Sequence, residues 1–176
     1  MQLDSETCQK AAMEMVRQYL KAYKLVQDEI LQTMGTLPEP YKELEKNVLQ
    51  RFFEEIILET GDGLEFIAKL LSGLIINQAL PNTNHRTSTY FIVSLLKQHG
   101  INIDLVHNAV NIREYFLDSK HIMKKGKRDF QRIHYENTRQ FLVKVLGPDQ
   151  SGKLGSIRAN SFIVSFSASS NDNTLA

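Results

Sequence analysis

The chain has 176 residues, of which 42% are hydrophobic and 23% charged, and its formal net charge is +1 at pH 7. This composition is typical of a globular domain with a sizeable core, and it excludes a global electrostatic drive toward nucleic acid or anionic lipid. One cysteine, Cys8, excludes an internal disulfide and a cysteine-based zinc site. Since no uncharged apolar run has the length of a membrane span and no cleavable apolar leader is visible, we expect a cytoplasmic protein without membrane contact.

The first 34 residues predict one long helix. Asp4 or Ser5 can cap its start and Gly35 can end it. Its apolar residues follow each other at steps of three and four, which places them on one stripe. We expect this stripe to pack inside a bundle rather than to form a coiled-coil seam. Its members are Cys8, Ala12, Met15, Tyr19, Ala22, Val26 and Ile30.

Pro38 and Pro40 mark the connection to a second predicted helix. Because proline is tolerated in the first turn of a helix, we expect this helix to begin there. The turn signal Gly61-Asp62-Gly63 ends it. Its apolar stripe consists of Tyr41, Leu44, Val48, Phe52 and Ile56.

Two strongly apolar segments predict a helical hairpin at the centre of the fold. The third helix covers about 64–78 and the fourth about 84–99. Both carry apolar residues on more than one face, as buried helices do. The sequence therefore predicts an all-α fold around a central helix–loop–helix hairpin.

The remaining sequence predicts two more helices and then a change of character. We expect a helix over 103–124 with a break near Asn108, and a longer one over 128–146. Beyond Gly147-Pro148 the periodicity fades and Ser, Gly and Asn become frequent. We therefore expect one helical domain over 1–147 and an irregular segment over 148–176, in which Phe162 to Phe166 forms a short strand or a docked segment. The stripe predicted for the last helix is Phe130, Ile133, Asn137, Phe141 and Val145.

A polar sequence interrupts the central hairpin where its second helix begins. The free N–H groups of a first helical turn attract anions, and polar side chains beside them strengthen the attraction. An ordinary N-cap beside a solvated arginine is the alternative that residue types alone leave open. The polar residues in question are Asn84, His85, Arg86 and Thr87.

This sequence resembles the core of the Fic/Doc family over about 63–101. The family motif reads His-x-Phe-x-Asp/Glu-Gly-Asn-Gly/Lys-Arg-Thr. Asn84, Arg86 and Thr87 match it, and Leu80 conservatively replaces the phenylalanine. The matching register is Gln78-Ala79-Leu80-Pro81-Asn82-Thr83-Asn84-His85-Arg86-Thr87.

The resemblance implies a Fic-like helical bundle and a nucleotide site in the loop of the hairpin. In that family the loop and the helix N-terminus hold the phosphates of ATP or another nucleotide, an acid binds magnesium, and a histidine acts as the base. The usual product is a protein that carries a nucleotidyl or phosphoryl group. Carried over to this chain, the phosphate-binding residues would be Thr83, Asn84, His85, Arg86 and Thr87.

Compared with the family motif, this chain lacks the residues that carry out most of the family's chemistry. Gln78 stands where the family has its catalytic histidine, and an amide is not a general base. Asn82 stands where the family has its acid, so magnesium would bind weakly or not at all. We therefore expect ligand binding with transferase activity altered or lost. The remaining candidate base is His85, because the helix N-terminus keeps its ring neutral.

A basic segment over 120–139 supports a second hypothesis from another class. A helical module with such a surface could bind nucleic acid or an acidic protein, although a solvated helix face explains the charges equally well. His121 and His134 fall in this segment. Its cationic residues are Lys120, Lys124, Lys125, Lys127, Arg128, Arg132 and Arg139.

Overall fold

The computed structural model describes residues 4–58, 61–126 and 128–169, with side chains to residue 166. Within these ranges there is no β-strand, and Asp62 and Arg158 form an isolated bridge. The predicted all-α fold is confirmed. The helices are α1 (Ser5–Met34), α2 (Lys46–Ile57), α3 (Gly63–Asn77), α4 (Asn84–Gln98), α5 (Ala109–Lys125), α6 (Phe130–Ser156) and α7 (Ala159–Ser169).

Helix α3 lies at the centre of the bundle, as the sequence predicted. It packs against α2, α4, α6 and α7, and most of its residues are buried. Helices α3 and α4 form the predicted hairpin, and the loop between them covers 78–83. None of the helices in the described part of the chain combines the length and the hydropathy that a membrane crossing requires.

The predicted ends of the first helix are confirmed. The side chain of Asp4 caps α1 by accepting a hydrogen bond from the N–H of Thr7 at 2.8 Å. Gly35 ends the helix with φ of 72°, a conformation that glycine adopts without strain. All members of the predicted stripe are buried except Cys8, which is partly exposed.

The second helix begins later than predicted. Residues 36–45 are not helical, and α2 begins at Lys46. The backbone N–H groups of Tyr41 and Glu45 instead donate to the carbonyl oxygens of Pro81 and Ala79 in the hairpin loop, at 3.1 and 2.9 Å. We name residues 36–45 the strap, because they lie across this loop.

The prediction of an irregular segment after residue 147 is wrong for residues 148–169. Gly147 breaks the helical geometry of α6 with φ of 70° and ψ of 174°, but helix resumes after it and continues to Ser156. Helix α7 follows, and it replaces the strand considered for Phe162 to Phe166. Residues 170–176 of the predicted segment lie outside the described residues. The side chains from this region that join the main core are Leu154, Ala159, Phe162, Ile163 and Phe166.

Helix α5 stands apart from the rest of the bundle. It begins at Ala109 rather than near residue 103, and it packs chiefly on α6. Only Tyr115 and Ser119 of this helix are buried. A groove therefore separates α5 from α1 and α4.

Candidate anion-binding groove

The hairpin loop is held together by the side chain of Asn84. Its Oδ1 accepts a hydrogen bond from the N–H of Leu80 at 3.0 Å, and its Nδ2 donates to the carbonyl oxygen of Leu80 at 3.0 Å. Nδ2 also donates to the hydroxyl of Tyr41 in the strap. Asn84 is 4% exposed, so its amide is committed to the loop rather than open to a ligand.

Asn82, the weak metal candidate, is also engaged within the protein. Its Oδ1 accepts from the hydroxyl of Tyr23 at 3.1 Å and from Nε2 of Gln27 at 2.9 Å. Its Nδ2 donates to the carbonyl oxygen of Pro38 at 2.7 Å. The hydroxyl of Thr83 donates to the same oxygen at 3.3 Å, so a magnesium ion there would have to displace three donors. Among the described residues no group of three or more His, Cys, Asp or Glu side chains could hold a metal ion.

Three further motif residues face the interior or the loop itself. Gln78 and Thr83 both adopt positive φ, 45° and 53°. The amide Nε2 of Gln78 lies 3.8 Å from Sδ of Met123, and the hydroxyl of Thr83 accepts from Nε2 of Gln27 at 2.9 Å. Thr87 is completely buried. Thr83 and Thr87 are thus held within the protein, and the amide of Gln78 contacts α5.

His85 points away from the loop toward α5 and α6. Its Nε2 lies 2.9 Å from the hydroxyl of Ser119, and the same hydroxyl lies 2.7 Å from Nε2 of His134. The other ring nitrogen of His134, Nδ1, lies 2.8 Å from the hydroxyl of Ser72. The interior of the protein thus contains a continuous line of four polar side chains that join α3, α4, α5 and α6.

Both histidine rings of this line are neutral at physiological pH. Burial, assisted by the charge of Lys120 and by His134, lowers the pKa of His85 to about 4. Burial lowers the pKa of His134 to about 4 as well. An imidazolium without a carboxylate partner would be costly at either position, so each ring carries one proton on one of its two nitrogens.

Arg86 is the one predicted phosphate-binding residue whose side chain is exposed. It lines the groove between α5 and the α1–α4 pair, a cavity of about 720 Å³. Arg113 and Lys120 of α5 bring two further cations to this cavity, and Glu29 of α1 brings a carboxylate. The remaining lining residues are mostly apolar: Val26, Ile30, Thr33, Thr89, Tyr90, Leu105, Ala109, Ile112, Phe116 and Leu117.

The groove contains polar groups that the protein itself does not satisfy. Thr89 is 8% exposed, and its Oγ1 has no hydrogen-bond partner in the described chain. Buried hydroxyls are nearly always hydrogen-bonded. None of the three cations that line the groove, Arg86, Arg113 and Lys120, has an ion-pair partner among the residues described. A largely apolar cavity lined by three cations that have no ion pair among the described residues is suited to an amphipathic anion.

The basic segment over 120–139 does not form one uniform surface. Arg132 pairs with Glu136 at 2.8 Å and lies 3.9 Å from Asp129. Lys120 lines the groove, and His134 is fully buried rather than basic surface. Lys127 lies outside the described residues. The exposed cations left at this end of the bundle are Lys124, Lys125, Arg128 and Arg139.

Sequence reasoning identified Arg86 and His85 but missed their partners. Arg113 carries no local signal, because it meets Arg86 only through the packing of α5 beside α4. Thr89 follows Arg86 by three residues on α4, a spacing that places both on one face of the helix. The spacing His134, Thr138, Phe141, Val145 does mark the buried face of α6. The predicted stripe shares Phe141 and Val145 with this face, but His134 and Thr138 are buried where the sequence suggested Ile133 and Asn137.

A family model matches residues 1–137, and its description is "Family of unknown function (DUF8172)". The chain belongs to this family. Searches of the curated proteins and of the solved structures return no match.

Proposed function

We propose that this protein binds a phosphate-bearing small molecule, with a nucleotide as the first candidate, in the groove between α5 and the α1–α4 pair. The observation that carries the proposal is that three cations, Arg86, Arg113 and Lys120, line one cavity with no ion-pair partner among the described residues. In this arrangement Arg86, Arg113 and Lys120 hold the phosphate. The apolar wall around Ile112 receives the rest of the ligand.

Electrostatics favours an anion in this position. Three cations around one cavity repel each other, and a phosphate relieves the repulsion while its oxygens accept hydrogen bonds from the guanidinium groups. Glu29 opposes a second anion on the α1 side. It is instead suited to accept a hydrogen bond from a hydroxyl of the ligand, such as that of a ribose. The cavity volume falls within the range of small-molecule sites, roughly 300–1,000 Å³.

Under this proposal the Fic/Doc-like motif has two separate roles. The chain would be a degenerate member of that scaffold in which Arg86 still contacts phosphate, while the side chains of Asn82 and Asn84 hold the loop by hydrogen bonds. Gln78 supplies no base and Asn82 no free metal ligand, so the usual transfer of a nucleotidyl or phosphoryl group to a protein would be altered or lost. Binding would then need no magnesium.

A nucleotide panel in thermal-shift and calorimetric titrations, with and without magnesium, tests the proposal. For any nucleotide that binds, Arg86→Ala should raise the Kd by about 10-fold or more, because a hydrogen bond to a charged group contributes about 1.5–3 kcal/mol to binding. Arg51→Ala is the matched control, since Arg51 is an exposed arginine on α2.

Equal affinity of the Arg86→Ala and Arg51→Ala variants would contradict the proposal, as would the absence of binding at millimolar nucleotide. Nucleic-acid binding through the basic segment makes a different prediction. Salt-dependent retention of an oligonucleotide should then survive Arg86→Ala and be lost in a Lys124→Ala, Lys125→Ala double variant.

A further inference from the structure

The buried line His85–Ser119–His134–Ser72 runs from a histidine next to the groove lining to a serine that lines a second cavity. At one end, the ring of His85 packs edge-on against Phe116, which lines the groove, with 5.3 Å between ring centroids. At the other end, Ser72 lines a cavity of about 410 Å³ between α2, α3 and α6. Ser72, Ser119 and His134 are at most 3% exposed.

Counting protons along this line allows two complete arrangements. Each neutral imidazole has one N–H donor and one bare acceptor nitrogen, and each serine has one hydroxyl proton. If Nε2 of His85 carries its proton, it donates to Ser119, Ser119 donates to Nε2 of His134, and Nδ1 of His134 donates to Ser72. If every proton shifts, Ser72 donates to Nδ1 of His134, its Nε2 donates to Ser119, and Ser119 donates to His85.

In both arrangements the two histidines are opposite tautomers, and every hydrogen bond of the line is kept. The lengths of 2.7–2.9 Å are those of well-formed hydrogen bonds. The branches of the network do not select one direction. Thr138 donates to the carbonyl oxygen of His134 at 2.8 Å, and Sδ of Met123, 3.9 Å from Ser119, is a weak acceptor.

We infer that His85, Ser119, His134 and Ser72 form a proton relay between the groove side of α4 and the cavity behind α3. A proton accepted by Nδ1 of His85 is balanced by a shift of one proton at each link: from Nε2 of His85 to Ser119, from Ser119 to His134, and from Nδ1 of His134 to Ser72. The hydroxyl proton of Ser72 passes to solvent water in its cavity. The relay lets His85 accept a proton without the protein interior gaining a charge.

This inference goes beyond ligand binding in the groove, and it stands without it. A phosphate site needs only the three cations of the groove. The relay needs only the four buried side chains and would operate in the ligand-free protein. Its functional consequence is that His85 has a neutral route for protons, which the sequence-based assignment of His85 as a base did not include.

The test is nitrogen NMR of the histidine rings in the ligand-free, full chain, labelled with ¹⁵N-histidine. The Nδ1 and Nε2 shifts of each ring report which nitrogen carries the proton. We expect His85 and His134 to show mirrored, exchange-averaged tautomer populations. If His85 and His134 both carry their proton on Nε2, both rings donate to Ser119, and Ser119 donates to Met123 instead. That result would overturn the relay. Opposite tautomers that do not exchange would identify a static network and also overturn it.

A remote substitution gives a second, directional readout. Ser72→Ala removes the main partner of Nδ1 of His134 and leaves Thr138 at 3.4 Å, whose own proton is committed to the backbone. Nδ1 of His134 must then donate, which fixes His85 with its proton on Nε2. Ser94→Ala on α4, whose side chain faces another cavity, is the control and should leave the populations unchanged. A His85 tautomer population equal in Ser72→Ala and the unmodified protein would overturn the relay.

Discussion

Asn84 binds both backbone polar groups of Leu80 through one side-chain amide, with two hydrogen bonds of 3.0 Å. The two residues flank the turn of the hairpin loop, and both are almost completely buried. These two hydrogen bonds close the turn between α3 and α4. It explains why an asparagine stands at the start of α4 even without a ligand, and it makes the loop sensitive to the identity of this one residue.

Asn84→Ala should destabilise the fold by about 1–3 kcal/mol, because it leaves a buried N–H and a buried carbonyl group without partners. Urea unfolding of the variant measures the loss. Asn47→Ala is the matched control, since Asn47 is exposed on α2, and its effect should stay within about 0.5 kcal/mol. Equal stability of the two variants would show that the amide of Asn84 does not hold the loop.

Restoring the Fic/Doc side chains should not restore labelling of proteins by ATP and magnesium. In a Gln78→His, Asn82→Asp double variant, the new carboxylate would face the carbonyl oxygen of Pro38, which the amide of Asn82 now donates to at 2.7 Å. We expect the unmodified protein to show no autolabelling with radiolabelled ATP, and Asn82→Asp to lower the melting temperature. Strong labelling by the double variant would contradict this expectation. It would show that the strap rearranges readily around the new carboxylate and that the scaffold still supports nucleotide transfer.

Acid should destabilise the protein through its two buried histidines. Their pKa is about 4 in the folded state and about 6.5 in an unfolded chain. Between these values the unfolded state binds more protons, so the free energy of unfolding falls as the pH is lowered from 6.5 toward 4. Each pKa unit of difference corresponds to about 1.4 kcal/mol.

Urea unfolding at a series of pH values between 7 and 4 measures this loss. The decrease in the free energy of unfolding should be smaller in His134→Gln and in His85→Gln, since neither variant has that histidine to protonate. His121→Gln, at an exposed position, should follow the unmodified protein. A parallel pH profile for all four proteins would contradict the assignment of this loss to the buried rings.

Gly63→Ala should destabilise the junction between α3 and the end of α6. A Cβ at residue 63 would lie 2.6 Å from the carbonyl oxygen of Leu154 and 3.0 Å from the ring of Phe162. Since backbone must move to accommodate it, we expect a loss of about 1–3 kcal/mol. Gly155→Ala, where a Cβ would meet no atom within 4 Å, should be neutral or stabilising by up to about 1 kcal/mol. Similar unfolding midpoints for both variants would argue against the close approach.

The sequence predicted the parts of the fold that depend on local patterns. The ends of α1 follow from Asp4 and Gly35, and the α3–α4 hairpin follows from two apolar segments around a polar turn. The strap was not predictable in this way. Its residues have a helix-compatible stripe, but the N–H groups of Tyr41 and Glu45 find carbonyl partners in a loop about 40 residues away, and that pairing is visible only in three dimensions.

Helix α7 shows a different reason for failure. The spacing of Phe162, Ile163 and Phe166 is that of a helix face, but the serines around them reduce the contrast on which periodicity depends. For the candidate site, Arg86 was found because it stands in a motif. Arg113 and Lys120 were not, since only the position of α5 beside α4 brings them to the same cavity as Arg86.

The place of α7 in the core has a consequence for the synthesis of the protein. Phe162 stacks on Phe66, and Phe166 stacks on Phe91, with ring centroids 5.6 and 6.3 Å apart. Since translation proceeds from the N-terminus, α1 to α4 leave the ribosome while the aromatic residues that cover them are not yet made. The nascent chain therefore exposes an apolar face until its last described helix emerges, and in that interval it is open to chaperones and to aggregation.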